Sequence, residues 1–282
     1  MNELSETAVL NSLSTKWLGR VCYYEPVVGS TNELLKGLVA GGTAVAPPTG
    51  TLYLTDYQTQ GRGRLQRQWQ APAGSSLLFS LLFRPDWPGE QANWLTMLTS
   101  LAAVEAIEAV TAQPGQAGVK MGIKWPNDLM LYHDAAWRKV GGILLEGNLG
   151  ENGRLVSVIV GLGLNVNIPA EQLPAAATPA TSLLVATGRP LDRVALLADL
   201  LGRLEMAYET AVSVPHASYS PHTAWSERLL TLGQPVRVTI AAADTTRVID
   251  GIAEGTDRWG SLLVRAESGT LHSVTAGDVT LR

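Results

Sequence analysis

Four strand-like segments follow one another between residues 119 and 165, and they limit the chain to folds with a large sheet. Long helical patterns flank this run. Apolar residues form a stripe from Gln91 to Ala112, and a second strong helical pattern runs from Leu191 to about Val212. Strands and helices grouped in this way predict the α+β class. The four strand-like segments lie near Val119–Lys124, Leu129–Tyr132, Val140–Glu146 and Leu155–Asn165.

Shorter elements precede this run, and the chain changes character after Pro221. A helix is predicted over Ser5–Leu18, and a second begins at a capping box formed by Ser30 and Glu33. Regularly spaced short strands predict a small β-barrel after about residue 230, which gives domains 1–229 and 230–282. The other predicted strands are Val21–Tyr24, Thr51–Tyr57, Ser76–Phe83, Pro235–Ile240, Arg247–Ala253, Ser261–Arg265 and Gly269–Ser273, and residues 169–190 are predicted to form a loop.

Composition narrows the functional classes. The hydrophobic fraction of 46% is ample for a buried core, whereas the net charge of −4 argues against a DNA-binding protein. Cys22 is the single cysteine, so no internal disulfide can form, which is consistent with a reducing cytosol. The sequence contains neither a secretory leader pattern nor an apolar run of 18 residues. These features predict a cytoplasmic protein that does not insert into a membrane.

Residues 58–74 form a polar, glycine-bearing loop that crowds three arginines into six positions. Gly61 and Gly63 allow the backbone to approach a ligand closely, and the arginines supply forked donors suited to phosphate or carboxylate. Trp69 adds a flat face for a ring. A solvated basic loop is the alternative interpretation. The three arginines are Arg62, Arg64 and Arg67.

Three further segments carry candidate binding residues. The Lys124–Asp128 turn holds a lysine at one end and a carboxylate at the other, which suits an anion and a magnesium ion. Lys139 leads an apolar strand in which Gly141-Gly142 leaves the backbone bare, and Asn165 follows the glycines of a second such strand. Taken singly, each segment also fits an ordinary turn or buried strand.

Taken in order, these segments resemble the catalytic domain of biotin–protein ligases. The resemblance covers 29–167 by motif and looks continuous to the C-terminus. It implies a mixed-sheet biotin/lipoate ligase-like domain followed by a small SH3-like β-barrel. The family loop typically runs Gly-Arg-Gly-Arg-Arg-Gly-Arg, whereas Leu65-Gln66 replaces the inner Arg-Gly pair here.

The resemblance also implies residue roles. The catalytic residues would be Arg64, Lys124 and Lys139, and Asp128 would bind the metal. The biotin-binding residues would be Ser30, Thr31, Gln58, Arg62, Arg64, Lys139 and Gly142. The nucleotide-binding residues would be Arg64, Arg67, Trp69, Lys124, Asn165 and Gly163.

The implied reaction is the activation of biotin with ATP and Mg²⁺ to biotinyl-5′-AMP, with release of pyrophosphate. Biotin would then pass to a lysine of a biotin carboxyl carrier protein, such as a subunit of acetyl-CoA carboxylase. Since the first step brings two anions together, catalysis would depend on positioning and on cations.

Three alternatives remain at this stage. A lipoate or octanoate ligase shares the fold, and a silent α/β binding module needs no catalytic residues. A biotin-sensing repressor needs an N-terminal helix-turn-helix domain, for which the 28 residues before Gly29 are too few. Some family members dimerise through sheet edges, so a homodimer is an open expectation.

Overall fold

The computed structural model describes residues 3–41, 46–175, 178–214, 220–241 and 246–281. Seven strands form the larger sheet: β1 (Cys22–Val28), β2 (Leu52–Gln58), β3 (Ser76–Phe83), β4 (Met121–Lys124), β5 (Asp128–His133), β6 (Ala136–Leu149) and β7 (Leu155–Asn165). Their spatial order is β1-β2-β3-β7-β6-β5-β4. The pair β1–β2 is parallel and the other neighbouring pairs are antiparallel, so the predicted mixed sheet is confirmed.

Helices cover both faces of this sheet. The described helices are α1 (Glu6–Ser12), α2 (Thr31–Ala40), α3 (Asn93–Thr111), α4 (Leu183–Thr187), α5 (Arg193–Ser213) and α6 (His222–Glu227). Leu35 of α2 packs on Leu82 and Ile159, while α3 and α5 bury the opposite face. All eight residues of β3 are therefore buried, which explains why its sequence is almost uniformly apolar.

The stretch Gly89–Thr111, which includes α3, is long and apolar enough to cross a membrane by length and composition alone. However, 72% of its apolar window is buried inside the protein. Burial of that kind is typical of a core helix, whose apolar residues face protein on every side.

The C-terminal residues form a second, antiparallel sheet. Its strands are β8 (Pro235–Ala241), β9 (Thr246–Thr256), β10 (Leu262–Ala266), β11 (Leu271–Val274) and β12 (Asp278–Leu281), in the order β11-β10-β9-β8-β12. The predicted α+β class with a small C-terminal β-domain is confirmed, and the boundary between 1–229 and 230–282 stays a prediction. The indole of Trp125 joins the two parts, because its Nε1 donates to the Gly260 carbonyl at 2.8 Å.

Several predicted elements differ from the structure. The first helix ends at Ser12 rather than at Leu18, because the following backbone turns to meet a carboxylate on α5. The predicted 169–190 loop contains α4, whose start is capped by Ser182. The strand β12 and the helix α6 were not predicted, since four and six residues are too few for a clear periodic pattern.

The predicted capping box at the start of α2 is wrong. Ser30 occupies the N-cap position, but among the described residues its side chain makes no capping hydrogen bond. The amide of Thr31 instead donates to Gln58 Oε1 at 2.9 Å, and Glu33 pairs with Arg62 and Lys36. The residues that suit a cap are used for contacts across the fold.

Glu205 on α5 ties the segment after α1 to the core. Its carboxylate accepts backbone N–H bonds from Lys16, Trp17 and Leu18 at 2.7, 2.9 and 2.8 Å, although the residue is buried. Burial raises the pKa of Glu205, but the three N–H donors lower it by a larger amount. The pKa of Glu205 therefore lies below its usual value.

We predict that Glu205→Gln lowers the free energy of unfolding by about 2 kcal/mol at pH 7, because an amide cannot accept all three N–H bonds. The folded-state pKa lies below the unfolded one, so this stabilisation is present at neutral pH and is lost as the pH falls through the folded value. Urea denaturation of both proteins at pH 7 and at pH 3 measures the loss of unfolding free energy and its dependence on pH. Asp199→Asn, which removes an exposed ion pair on the same helix, is the control and should change stability by less than about 1 kcal/mol. A pH-independent effect of Glu205→Gln would contradict the prediction.

Candidate active site

A cavity of about 530 Å³ opens between the larger sheet, the loop after β2 and the edge of the C-terminal sheet. It collects the residues that the sequence singled out from five separate segments. The cavity is lined by each predicted site residue, namely Ser30, Thr31, Gln58, Arg62, Arg64, Arg67, Trp69, Lys124, Asp128, Lys139, Gly142, Gly163 and Asn165.

The arginine loop, residues 58–74, folds back on itself as a small hairpin over this cavity. The amide of Gly63 donates to the Arg67 carbonyl at 2.8 Å, and that of Trp69 donates to the Gly61 carbonyl at 2.9 Å. A Cβ on Gly61 would lie 2.4 Å from the Trp69 carbonyl oxygen, so the crossing requires a glycine. The hairpin thereby places Trp69 above the sheet.

The tip of this hairpin carries the two residues that depart from the family pattern. Leu65 has φ 53° and Gln66 has φ 59°, and the Arg67 amide donates to the Arg64 carbonyl at 3.1 Å. Two successive left-handed residues form the kind of tight turn that favours glycine or asparagine. Leucine and glutamine therefore strain a turn that the Arg-Gly pair would fit better at its second position.

Trp69 lies flat against two glycines of adjacent strands. A Cβ on Gly163 would be 2.6 Å from Trp69 Cε2, and one on Gly142 would be 3.6 Å from Trp69 Cζ3. The ammonium of Lys139 lies 5.9 Å from the centre of the indole ring. The ring thus forms one wall of the cavity and the bare sheet backbone forms another.

Three half-buried cations, Arg64, Lys124 and Lys139, line the same cavity. Lys139 Nζ lies 2.6 Å from Asp128 Oδ1, while Arg64 donates to Asn127 Oδ1 and to the Gly277 carbonyl at 3.4 and 3.3 Å. Burial lowers the pKa of Arg64 and of Lys124, although the charge of Asp128 acts against both shifts. An anion placed here would compensate the cost of burying these charges.

The closed end of the cavity is polar and mostly uncharged. Gln58 Oε1 accepts from the Thr31 amide at 2.9 Å and lies 3.2 Å from Thr31 Oγ1. Behind them, Ser80 Oγ lies 2.7 Å from Thr31 Oγ1 and 2.5 Å from Asn32 Oδ1. This end can hold a small group that both donates and accepts hydrogen bonds.

Asn165 lies at the end of β7, where its amide nitrogen donates to the Thr181 carbonyl at 3.0 Å. Its Oδ1 is buried, and among the described residues it has no hydrogen-bond partner; the same holds for Trp69 Nε1. Buried polar atoms without partners are uncommon in folded proteins. Both residues line the cavity, so a ligand that binds there could supply a partner for each atom.

Sequence reasoning missed Asn32 and Asp278, which line the cavity, and Ser80, which lies directly behind Thr31 and Asn32. Asn32 follows Thr31 directly and could have been found from its place in the same helix start. Ser80 lies in an apolar strand, and Asp278 lies in the unpredicted β12, where it pairs with Arg67 at 2.5 Å. Neither residue carries a local sequence signal, because each acts through contacts with distant parts of the chain.

Two family descriptions match this chain. The Biotin/lipoate A/B protein ligase family matches residues 25–165, which is half of the chain, and the Biotin protein ligase C terminal domain matches residues 231–282. This chain belongs to the biotin/lipoate A/B protein ligase family.

Individual relatives within this ligase family are biotin ligases. The chain is 32% identical to the bifunctional ligase/repressor BirA of Bacillus subtilis strain 168 over 99% of its own length and 79% of that protein. It is 32% identical to the biotin–[acetyl-CoA-carboxylase] ligase of Mycobacterium tuberculosis, covering 89% of this chain and 85% of that one. The biotin protein ligase of Aquifex aeolicus, solved in complex with biotin and ATP, shares 28% identity with a TM-score of 0.69, over 93% of this chain and 98% of that one. The predicted resemblance to biotin–protein ligases is confirmed, as is the prediction of an enzyme.

We predict that Gln66→Gly protects the arginine loop of this ligase, because glycine adopts the left-handed conformation without the cost of about 1 kcal/mol that other residues incur. Trypsin should then cleave more slowly after Arg64 and Arg67. Gln68→Gly is the matched control: the φ of Gln68 is not positive, so glycine there should loosen the loop and speed cleavage. Equal cleavage rates in both variants would contradict the strain at the tip.

Proposed function

We propose that the protein is a biotin–[acetyl-CoA-carboxylase] ligase that forms biotinyl-5′-AMP from biotin and ATP and transfers biotin to a lysine of a biotin carboxyl carrier protein. The supporting observation is one cavity that combines a polar closed end, a cluster of half-buried cations and a flat indole wall. These three parts suit a cyclic urea, a pair of reacting anions and an adenine base.

Biotin would lie along the sheet with its ureido ring at the closed end. Thr31, Gln58 and Ser30 line that end, and the backbone of Arg62 borders it. The bare backbone at Gly142 leaves room for the bicyclic ring. The valeryl carboxylate would then reach toward the cations, since the closed end offers it no charge partner.

The nucleotide would occupy the other part of the cavity. The indole of Trp69 offers a face for the adenine, and Asn165 Oδ1, which lacks a partner in the described structure, can accept from its amino group. Gly163 holds the indole in place, and Arg67 lies at the rim beside Asp278.

Adenylation requires a carboxylate to attack the α-phosphate and displace pyrophosphate. Both reactants are anions, so the barrier includes their mutual repulsion. Arg64, Lys124 and Lys139 all line the cavity in half-buried positions, where their charges are less screened than at the surface. They would hold both anions at reacting distance and stabilise the charge that develops on the phosphate.

Magnesium fits this site as an ion that arrives with the nucleotide. Among the described residues no group of three His, Cys, Asp or Glu side chains could hold a metal alone. Asp128 supplies one carboxylate beside Lys124 and Lys139, and Mg²⁺ is commonly bound by one or two carboxylates together with substrate phosphates. When bound, the ion would neutralise phosphate charge.

The polar closed end favours biotin over lipoate. The dithiolane ring of lipoate has no N–H or C=O group, so it would give no partner to the Gln58 NH₂ or to the remaining lone pair of Thr31 Oγ1 while excluding water from them, which is costly. The repressor activity named for the Bacillus relative stays an alternative that a DNA-binding assay tests. The cytoplasmic location and the homodimer stay predictions.

The assignment is tested by incubating the protein with biotin, ATP, Mg²⁺ and an isolated biotin carboxyl carrier domain. Intact-mass spectrometry should show the gain of one biotin per carrier, dependent on ATP. A carrier whose target lysine is replaced by arginine is the control. A mass gain with lipoate but not with biotin would overturn the proposal.

We predict that Arg64→Ala lowers adenylate formation by about a hundredfold, because it removes a buried cation from between the two anions. It should also weaken biotin capture and let the adenylate escape into solution. Pyrophosphate release and filter-retained adenylate measure these effects. Arg265→Ala, which breaks an exposed ion pair on the C-terminal sheet, is the control and should behave as the unmodified protein does. Wild-type adenylate retention by Arg64→Ala would count strongly against the assignment.

A further inference from the structure

A half-buried carboxylate lies behind the polar closed end of the cavity. Glu146 on β6 accepts from Asn32 Nδ2 at 2.8 Å and from Lys36 Nζ at 2.5 Å, and Arg62 Nη2 lies 3.3 Å away. Burial raises the pKa of Glu146, but the hydrogen bonds from Lys36 and Asn32 lower it more, so the pKa lies below its usual value and the group is ionised at neutral pH.

This carboxylate fixes the direction of the hydrogen bonds that lead through Asn32 and Ser80 to Thr31 at the cavity. An ionised carboxylate only accepts, so the Asn32 amide must turn its NH₂ toward Glu146 and its oxygen toward Ser80. Ser80 owns one hydroxyl proton, and that proton must go to Asn32 Oδ1, which lies 2.5 Å away and can only accept. The 2.7 Å contact between Ser80 and Thr31 is then made with the proton of Thr31, in preference to the longer 3.2 Å contact of the same hydroxyl with Gln58 Oε1.

The cavity consequently meets a defined pair of groups. Thr31 Oγ1 has given its proton to Ser80, so it presents lone pairs to a ligand. Gln58 Oε1 accepts the Thr31 amide at 2.9 Å, which leaves the NH₂ of Gln58 as a donor. One acceptor beside one donor matches the N–H and the C=O of a cyclic urea.

We propose that Glu146 is a positioning residue that selects ureido substrates by setting the hydrogen-bond polarity of Thr31 through Asn32 and Ser80, beside a Gln58 side chain whose orientation the Thr31 amide fixes. The inference rests on the proposed function and adds a cause for its specificity. Asn32 and Ser80 are buried, so water cannot reset the chain of bonds. A Cβ on Gly161 would lie 2.2 Å from Asn32 Oδ1. The Asn32 amide therefore fits in this place only because position 161 is a glycine.

Glu146 also holds cations, and this second role must be separated from the first. Arg62 and Lys36 both pair with Glu146, and both pair with Glu33 as well. Glu33 has no bond to Asn32 among the described residues. Glu33→Gln therefore removes a carboxylate from the same cations while it leaves the polarity of the cavity unchanged, and it is the matched control.

The test measures the affinity of biotin alone and of ATP alone by calorimetry for the full chain and for Glu146→Gln, Glu33→Gln and Ser80→Ala. Glutamine can face Asn32 with either its oxygen or its NH₂, so the polarity is no longer enforced. Glu146→Gln should bind biotin about tenfold more weakly, as expected for a lost charge-assisted hydrogen bond, and ATP within about twofold. Glu33→Gln should leave both affinities within about twofold.

Ser80→Ala interrupts the same chain without changing any charge, and it keeps the inference testable if Glu146→Gln fails to fold. It should weaken the binding of biotin but not that of ATP. The double variant Glu146→Gln/Ser80→Ala should bind biotin no more weakly than the weaker-binding single variant. Additive effects, an equal loss of ATP affinity, or a Glu33→Gln variant as weak as Glu146→Gln would overturn the inference while the ligase assignment stands. A wild-type protein that does not bind biotin would overturn the proposed function together with the inference.

Discussion

The site depends on the pairing of Gly142 with Gly163 across the central strands β6 and β7. These positions face the cavity, and a Cβ on Gly163 would occupy the place of the Trp69 indole, 2.6 Å from its Cε2. Because glycine removes the side chain and keeps both backbone hydrogen-bonding groups, the sheet ladder continues unbroken under the cavity. A rigid, fully paired floor is what allows a loop and two lysines to converge on one place without weakening the core beneath them.

This convergence of loop and lysines gives the cavity an excess of positive charge. Arg64, Lys124 and Lys139 are half-buried, and within the part of the chain that the structure describes one ion pair, Lys139 with Asp128, involves them. Burial lowers the pKa of Arg64 and of Lys124, although the charges of Asp128 and Asp278 act against both shifts. Taking these cations out of water lowers the stability of the unliganded protein. An anionic ligand offsets that free-energy cost when it binds, and this offset contributes to its affinity. The half-buried position keeps the attraction strong, since water screens it less than it would at the surface.

The sequence predicted candidate site residues, which the structure brings to one cavity, through residue types that are rare in ordinary loops and strands, such as the alternating glycines and arginines and the Lys139 strand. Residues that act through distant partners could not be found in this way. Ser80 resembles a core residue of β3, and Glu146 resembles a strand-end charge, until Asn32 brings them together across 114 positions. Asp278 belongs to a strand of four residues, too short for a pattern, yet it faces the arginine loop. Short local elements and long-range polar contacts are the parts of a fold that local periodicity does not encode.

The three arginines of the loop illustrate how such contacts assign different tasks to similar residues. Arg62 at one end pairs with Glu33 and Glu146, and Arg67 at the other end pairs with Asp278 of the C-terminal sheet. Arg64 contacts amide and carbonyl oxygens, and within the described residues no carboxylate lies within ion-pair distance of it. The outer pairs fix both ends of the hairpin, one to α2 and one to the second sheet. The central guanidinium, that of Arg64, is thereby free to bind an incoming anion. Of three arginines within six positions, two serve as structural ion pairs and one offers its charge to a ligand.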